Sequence, residues 1–312
     1  SRKVENGSVF VCISGAVSDG HKYAAEVAEK GAAAVVVEKD VEVPADVTVI
    51  KVEDTRYALA LMSAAYFGYP AEKLKIVGIT GTKGKTTTTY MIKSILEETG
   101  HKVGLIGTIE AIIGEKKIPA ANTTPESYTI HQYFAEMVKE GCDCVVMEVS
   151  SQGLMLHRTA GIPFEIGIFT NLGRDHIGPK EHKDMAEYAH YKSLLFQKCC
   201  FGIGNIDDPY YREIFKDASC QVCTYSCRQK AVVQASDIML VNRNGQLGTF
   251  FKVNGEEYAV SAPGEFSVYN AVAAITVCRH YGIDQEIIRK ALKTIRVPGR
   301  VEVIDNDRGY LL

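Results

Sequence analysis

The chain is 312 residues long and carries a net charge of −3, from 35 basic and 38 acidic residues. This length is enough for two domains, and 46% hydrophobic with 23% charged residues is typical of a globular protein. The sequence has neither the basic balance of a nucleic-acid-binding protein nor an apolar run of about 18 residues. We therefore expect no nucleic-acid partner and no membrane span, and no signal peptide is visible in these residues.

The nine cysteines do not indicate a disulfide framework in a chain of this length, so we expect reduced thiols. Cys220, Cys223 and Cys227 are closely spaced, but a zinc ribbon needs a second cysteine pair at a distance. The sequence therefore favours free thiols over a zinc site there.

The first unit, residues 1–70, alternates short apolar runs with helical patterns. Strands are predicted at 9–13, 32–37 and 47–52, and helices at 21–30 and 55–67. Alternation of this kind predicts a small α/β domain. Gly68, Tyr69 and Pro70 break the second helix and mark a linker.

The second unit, residues 71–297, is predicted to be a larger α/β domain. Strands are expected at 74–80, 102–107, 143–149, 165–170 and 199–204, and helices at 86–98, 126–140, 183–197, 268–281 and 285–294. Nearly continuous apolar strands indicate a mainly parallel sheet covered by helices on both faces. Asn244-Gly245 and Asn254-Gly255 predict two hairpin turns, and residues 298–312 read as the start of a linker to a further domain.

A glycine-rich segment joins the first strand of this unit to its first helix. The strand from Lys75 runs into GTKGKT at 81–86, with glycines at 78, 81 and 84 and Ile79 where the general phosphate-loop pattern has glycine. Such a turn brings backbone N–H groups to an anion, Lys85 reaches the outer phosphates, and the Thr86 hydroxyl can bind Mg²⁺. We expect the helix to begin at Thr86 and the segment to bind a nucleoside triphosphate; the alternative is a tight turn without a ligand.

Polar residues at the carboxyl ends of parallel strands are candidate ligand contacts. Glu148 closes an apolar strand, where it needs a partner such as Mg²⁺ shared with Thr86, unless it is simply solvated. His176 follows the next strand, and a structural role and a ligand role stay open for it. Thr123 and Thr124 precede a helix, so that Thr124 is either its N-cap or a contact for phosphate or sugar.

Lys192 lies on the apolar face of its predicted helix, with Tyr188 and Leu195. Either its amine reaches water along a buried stem, or it is desolvated with a lowered pKa. A desolvated amine can react with CO₂ to form a carbamate, an anion able to bind a metal. The sequence leaves the two alternatives open.

These residues resemble the Mur ligase family, whose members attach amino acids to peptidoglycan precursors, and the likeness covers nearly the whole chain. It is specifically a resemblance to the members that add the third residue of the stem peptide. The matching segments are Ser1-Arg2, Asp19-Gly20-His21, the loop 81–87, Asn122-Thr123-Thr124-Pro125, Met147-Glu148-Val149-Ser150-Ser151, His157-Arg158, Thr170-Asn171-Leu172, Asp175-His176, Lys192, Asn205, Asp207-Asp208, Gly264, Asn270 and Gly299-Arg300.

The resemblance implies roles for individual residues. For ATP it implies Gly81, Thr82, Lys83, Gly84, Lys85, Thr86 and Thr87, with further nucleotide contacts from Asn270 and Arg300 and an adenine side at Asn205 and Asp208. For two Mg²⁺ ions it implies Thr86 with Glu148, and His176 with carbamylated Lys192; the catalytic residues would be Lys85, Lys192 and His176. For the UDP-linked substrate it implies Ser1, Thr123, Thr124, Ser150 and Arg158.

The resemblance also implies an activity. It is the ATP-dependent addition of diaminopimelate or lysine to UDP-MurNAc-L-Ala-D-Glu through an acyl phosphate, by a cytoplasmic monomer in peptidoglycan synthesis. The first domain would bind UDP and the second ATP. Alternatives are a folylpolyglutamate synthase-like ligase, the Mur-like subunit of a lipid II amidotransferase, or a nucleotide-binding regulator without catalysis.

Three departures from the family pattern stand out. Gln152 replaces a common histidine, the loop 177–183 is longer than usual, and the family's third domain has no counterpart in these residues. We therefore expect the amino-acid specificity motif to lie elsewhere, and this chain to be inactive alone.

Overall fold

The structure is a computed structural model that describes residues 3–15, 18–179, 181–243 and 246–300. Two separate sheets are formed, one near the N-terminus and a much larger one after it. All nine cysteines are described, and none forms a disulfide. Within the described part of the chain, none of the helices combines the length and apolar character that crossing a bilayer requires.

The N-terminal sheet has three parallel strands in the order β1 (Val9–Val11), β2 (Ala34–Val37) and β3 (Thr48–Lys51). Helix α1 (Ala24–Glu29) packs Val27 against this sheet. The predicted helix begins later than residue 21 because a 3₁₀ turn, Gly20–Tyr23, precedes it. The side chain of Asp19 accepts a hydrogen bond from the His21 N–H at the start of that turn (3.1 Å).

Helix α2 (Thr55–Tyr66) leads from this sheet to the larger one. The Asp54 carboxylate caps it by accepting from the Tyr57 N–H at 2.8 Å. The helix ends at Tyr66, one residue before the predicted end, because Gly68 and Tyr69 adopt left-handed φ angles of 72° and 53° and Pro70 follows.

The larger sheet has eleven strands in the described residues, in the order β14-β13-β12-β11-β10-β9-β4-β8-β5-β6-β7. The seven from β12 to β5 are parallel, and an antiparallel hairpin extends the sheet at each edge. The strands are β4 (Lys75–Thr80), β5 (Val103–Ile106), β6 (Glu110–Ile113), β7 (Lys116–Pro119), β8 (Cys144–Glu148), β9 (Phe164–Phe169), β10 (Cys199–Asn205), β11 (Gln221–Ser226), β12 (Val233–Arg243), β13 (Gln246–Val253) and β14 (Glu256–Val260).

Helices cover both faces of this sheet and enclose two hydrophobic cores. One core contains Ile92 of α3 and Ile275 of α8, and the other contains Phe134 of α4 and Phe196 beyond α6. The helices are α3 (Lys85–Glu98), α4 (Ser127–Lys139), α5 (Ser151–Met155), α6 (Met185–Ser193), α7 (Tyr211–Ile214), α8 (Glu265–His280) and α9 (Gln285–Thr294). The predicted mainly parallel α/β fold with a small α/β unit before it is confirmed.

Two groups of strands were not predicted from the sequence. The strands β6 and β7 are short and carry lysines and glutamates, and β11 follows a stretch without clear periodicity. The hairpin turn at Asn254-Gly255 is confirmed, because these residues join β13 to β14 with φ angles of 52° and 90°. The other predicted turn, Asn244-Gly245, lies outside the described residues. The helix predicted at 183–197 is α6 followed by a 3₁₀ turn, Leu194–Gln197.

Candidate active site

The glycine-rich segment links β4, a central strand, to helix α3. Gly81 has a φ of 146°, and a Cβ there would lie 1.9 Å from the Thr170 Oγ1. Gly84 has a φ of 86°, and a Cβ there would lie 2.3 Å from the Asn270 Oδ1. Because the backbone passes so close to its neighbours, and with positive φ angles, only glycine fits at either position. Helix α3 begins at Lys85, one residue before the predicted start, and its N-terminal N–H groups face the loop.

The end of the neighbouring strand β9 fixes the loop from one side. The Thr170 hydroxyl donates to the Lys83 carbonyl at 2.7 Å. The Asn171 side chain pairs with the same residue, accepting from its N–H at 2.9 Å and donating to its carbonyl at 3.1 Å. The loop is therefore preorganised by protein contacts, as a cradle for an anion requires.

Two lysine amines converge on the loop. The Nζ of Lys85 donates to the carbonyls of Gly81 and Thr82 at 2.8 and 3.1 Å. The Nζ of Lys192 donates to the Gly81 carbonyl at 3.0 Å. Burial lowers the pKa of Lys85, while the negative charge of Glu148 opposes that shift.

Lys192 is fully enclosed. It is 1% exposed, its Nζ lies 4.5 Å from the centre of the Tyr188 ring, and it forms no ion pair with any carboxylate that the structure describes. Burial lowers the pKa of Lys192 well below its usual range, and the charge of Lys85 adds to the effect. Of the two alternatives for this lysine, the desolvated amine is confirmed and the amine in water is wrong.

Glu148, at the end of β8, is also buried, at 1% exposed. Its Oε1 accepts from the Thr86 hydroxyl at 2.9 Å and from the Thr108 N–H at 2.8 Å, and its Oε2 accepts from the Thr108 hydroxyl at 2.9 Å. The alternative of a solvated strand end is therefore wrong. A carboxylate beside a threonine hydroxyl is a donor set that suits Mg²⁺, so the residues fit the predicted ion.

The predicted substrate contacts form one turn beside Glu148. The Thr124 hydroxyl donates to the Glu148 carbonyl at 3.0 Å and accepts from the Ser150 N–H at 2.9 Å. Helix α4 begins with Glu126 as its N-cap residue, so Thr124 is not the cap. Arg158 donates to the Thr124 carbonyl at 2.9 Å and pairs with Glu126 at 2.7 Å. The Thr123 hydroxyl lies 3.0 Å from the Thr108 hydroxyl.

His176 lies on the other side of the buried lysine, across Tyr188. Its ring centre is 6.0 Å from that of Tyr188, and its Nδ1 is 2.8 Å from the Glu181 carboxylate. Its backbone is left-handed, with a φ of 55°. His176 and Lys192 therefore border the same aromatic ring, although no direct contact joins them.

The remaining predicted nucleotide contacts divide into two groups. Asn270 lies against Gly84, and the charge of Arg300 reaches Lys85, where it helps to lower the pKa. The Asn205 side chain instead donates to the Thr170 carbonyl at 2.8 Å. The Asp208 carboxylate accepts from the Leu172 N–H, also at 2.8 Å. Both brace the strand end that holds the glycine loop. Thr87 is half-buried in the first turn of α3, and Ser1 lies outside the described residues.

The structure adds two residues that the sequence did not mark as site residues. Thr108, before β6, holds both oxygens of Glu148. His182 is completely buried, and its Nε2 lies 2.8 Å from the Ser151 Oγ. Burial lowers the pKa of His182. A histidine within a charged loop carries no periodic signal, so only the loop's unusual length pointed towards it.

The fold and the glycine loop are of the P-loop α/β class. A family model described as the Mur ligase middle domain matches residues 79–278, and one described as the Mur ligase family, catalytic domain, matches residues 1–67. The first match alone covers more than half of the chain. The chain belongs to the Mur ligase family.

Named relatives agree with this assignment. The UDP-N-acetylmuramoyl-L-alanyl-D-glutamate--2,6-diaminopimelate ligase of Clostridium perfringens is 44% identical over 316 residues, covering 99% of this chain and 64% of that protein. The ligase of the same name from Clostridium botulinum is 44% identical over 308 residues, covering 97% and 63%. A solved structure of a ligase with that name has a TM-score of 0.83 at 26% identity, covering 98% of this chain and 64% of the other. The chain thus spans less than two thirds of the length of these relatives.

Proposed function

We propose that this chain forms the nucleotide and acceptor sites of an ATP-dependent ligase that joins 2,6-diaminopimelate to UDP-MurNAc-L-Ala-D-Glu in peptidoglycan synthesis. The observation that carries the proposal is the convergence of Lys85 and Lys192 on the Gly81 carbonyl, beside the Thr86–Glu148 pair. The names of the relatives supply the substrates, and they favour diaminopimelate over lysine. They also favour this ligase over the folylpolyglutamate synthase-like and amidotransferase alternatives.

The reaction brings two anions together. The carboxylate of the acceptor attacks the γ-phosphate of ATP, which forms an acyl phosphate and releases ADP. The amine of the incoming amino acid then attacks the acyl carbon and expels phosphate, which leaves an amide. The chain's contribution is to offset the repulsion between the anions: the N-terminus of α3 and the Lys85 amine supply positive charge where the phosphates would lie.

Two residue pairs support the binding of Mg²⁺. Thr86 and Glu148 would hold one ion, since their oxygens already lie within 2.9 Å of each other. His176 and a carbamylated Lys192 would hold or orient the second. When bound, the ions would neutralise charge on the phosphates.

The carbamate on Lys192 is supported by the chemistry of its surroundings. Burial lowers the pKa of the Lys192 amine and so favours its neutral form, whose nitrogen can attack the carbon of CO₂ and release a proton. The product is an anion, which would turn the repulsion between Lys192 and Lys85 into attraction.

The UDP-linked acceptor would lie along the turn that joins Thr123, Thr124, Ser150 and Arg158. Arg158 supports this position, because its buried Nε has no hydrogen-bond partner among the described residues. The Thr124 hydroxyl would act by shaping the turn, since its hydrogen bonds are already made. Residues 1–70, with Ser1, would bind the uridine end, in a cytoplasmic protein that acts as a monomer.

Phosphate release by the full-length protein tests the proposal. With ATP, Mg²⁺ and UDP-MurNAc-L-Ala-D-Glu, diaminopimelate should stimulate release, and lysine should do so much less. Equal stimulation by lysine would overturn the substrate assignment. Release of phosphate with neither amino acid would favour another acceptor, and no release at all would favour the regulator.

A further inference from the structure

His182 joins two parts of the candidate active site that are distant in sequence. Its ring is completely buried, tilted against the rings of Tyr188 and Tyr191, with centres 5.1 and 5.6 Å away. Its Nε2 lies 2.8 Å from the hydroxyl of Ser151, a residue that is 3% exposed. This hydrogen bond is shielded from solvent and joins α5 to the loop before α6. Removing either partner leaves the other as a buried polar group without a hydrogen bond.

On one side, backbone hydrogen bonds join His182 to His176 and Gly178, at the start of the same loop. The His182 N–H donates to the His176 carbonyl at 3.1 Å, and the His182 carbonyl accepts from the Gly178 N–H at 3.0 Å. His176 has a left-handed backbone, which costs about 1 kcal/mol or more for a residue other than glycine and persists only where the surroundings impose it. The contacts of His182 supply that constraint.

On the other side, Ser151 is the first residue of α5 and directly follows Ser150. Ser150 caps this helix by accepting from the Gly153 N–H at 3.0 Å, and its own N–H donates to Thr124. The hydrogen bond to His182 therefore ends on the turn that would hold the acceptor. Through Tyr188, whose hydroxyl is 3.2 Å from that of Thr82, the same histidine also backs the glycine loop.

A serine, a histidine and a glutamate together also resemble a hydrolytic triad, but the geometry excludes that role. Ser151 and His182 are both shielded from solvent, so no substrate carbonyl can reach the serine oxygen. The Glu187 carboxylate is 3.8 Å from the His182 Nδ1 and accepts instead from the Lys183 N–H at 2.7 Å.

We propose that His182 is a positioning residue. Through its hydrogen bond to Ser151 it fixes the loop 176–182 and the Tyr188 ring relative to the turn that contains Thr124 and Ser150. The inference rests on the proposed ligase function. It assigns His182 no contact with either substrate. Its loss should therefore slow turnover far more than it weakens the binding of ATP.

The test compares four single variants of the full-length protein, and the double variant His182→Phe with Ser151→Ala, by steady-state phosphate release. His182→Phe keeps the ring packing and loses the hydrogen bond, His182→Gln keeps a polar group at the same reach, and Ser151→Ala removes the partner. His131→Phe is the matched control, because His131 is equally buried, lies in α4 and has no hydrogen-bond partner among the described residues.

We expect His182→Phe and Ser151→Ala to lower kcat about 30-fold with the KM for ATP changed less than about threefold. The two changes combined should cost little more than either alone, His182→Gln should recover most of the rate, and His131→Phe should match wild type. A kcat within twofold of wild type for Ser151→Ala would overturn the inference. So would a His182→Gln variant as slow as His182→Phe.

Two further outcomes are also decisive. If His182→Phe does not fold, the kcat of Ser151→Ala tests the positioning role by itself, since this variant leaves the aromatic packing intact. If wild-type protein releases no phosphate, the ligase proposal fails by itself, and amide hydrogen exchange decides the positioning role. Faster exchange at Gly178 and His182 in Ser151→Ala then supports it, and unchanged exchange there contradicts it.

Discussion

Lys85 and Lys192 donate to one acceptor, the carbonyl oxygen of Gly81, at 2.8 and 3.0 Å. Two amines this close repel each other if both are charged, and the deeper one is 1% exposed. The site therefore favours one cation at the glycine loop and one neutral, reactive amine behind it. Lys192 reaches this position because it lies on the buried face of α6, with Tyr188 and Ala189.

Removing the Lys192 amine should abolish most of the activity. Lys192→Ala is expected to lower kcat about 100-fold or more in the full-length protein, because the amine is lost together with the carbamate proposed to form on it. Added short carboxylic acids should restore part of the rate by occupying the vacated space. Lys139→Ala, at an exposed position on α4, is the control and should behave as wild type. Full activity of Lys192→Ala without any added acid would contradict the carbamate.

Gly84 should tolerate no side chain. Gly84→Ala would place a Cβ 2.3 Å from the Asn270 Oδ1, at a φ of 86° that disfavours a side chain. The loop or the Asn270 side chain must therefore shift, and we expect the affinity for a non-hydrolysable ATP analogue to fall about tenfold or more. Gly100→Ala is the matched control: its φ of 90° is similar, but no atom lies within 4 Å of the added Cβ. It should lower the free energy of unfolding by about 1 kcal/mol and leave the affinity unchanged. Calorimetric titration distinguishes the two, and equal affinities would argue against a phosphate cradle.

Glu148 should govern the magnesium dependence of nucleotide binding. Glu148→Gln removes the charge and turns an amide towards donors that need an acceptor, Thr86 and Thr108. We expect the Mg²⁺ concentration for half-maximal binding of the ATP analogue to rise about tenfold. Glu136→Gln, on the surface of α4, should leave it unchanged. An unchanged Mg²⁺ requirement in Glu148→Gln would remove this residue from the metal site.

His131 should make the fold sensitive to acid. Burial lowers the pKa of His131 to about 4, below the value of 6.5 for an unperturbed histidine. Between these two pH values the unfolded chain therefore binds more protons than the folded chain. The contribution of His131 to the free energy of unfolding is present in full above pH 6.5 and falls as the pH drops towards 4. The contribution lost between pH 6.5 and 5 is about 2 kcal/mol.

Urea unfolding of wild type and His131→Phe at pH 7.5 and 5.0 measures this contribution. The variant should lose less stability than wild type over that range. Parallel losses in the two proteins would show that His131 does not titrate as its burial requires.

The sequence identified the parts of the site that follow regular patterns. Glycines between an apolar strand and a helix marked the loop 81–87, a carboxylate closing a buried strand marked Glu148, and a cation on an apolar face marked Lys192. The buried carboxylate and the buried amine are unfavourable without a partner, and this is why both are visible in one sequence.

Other parts depend on contacts between distant segments and left no such signal. Besides Thr86, Glu148 is held by Thr108, which lies 40 residues earlier in the chain, and His182 is paired with Ser151, 31 residues earlier. Polar residues in loops are common whether or not they meet a partner. Thr124 shows the same limit: its place before a helix left an N-cap and a ligand contact both open, while the fold directs its hydroxyl to the end of β8.

The central claim is that residues 81–87 hold a triphosphate between the two lysines and the Thr86–Glu148 pair. A crystal structure of the full-length protein with Mg²⁺ and a non-hydrolysable ATP analogue tests it most directly. The account predicts the β- and γ-phosphates against the loop N–H groups and Lys85, with a metal ion touching Thr86 and Glu148. Phosphates bound elsewhere, with the loop 81–87 left empty, would contradict it.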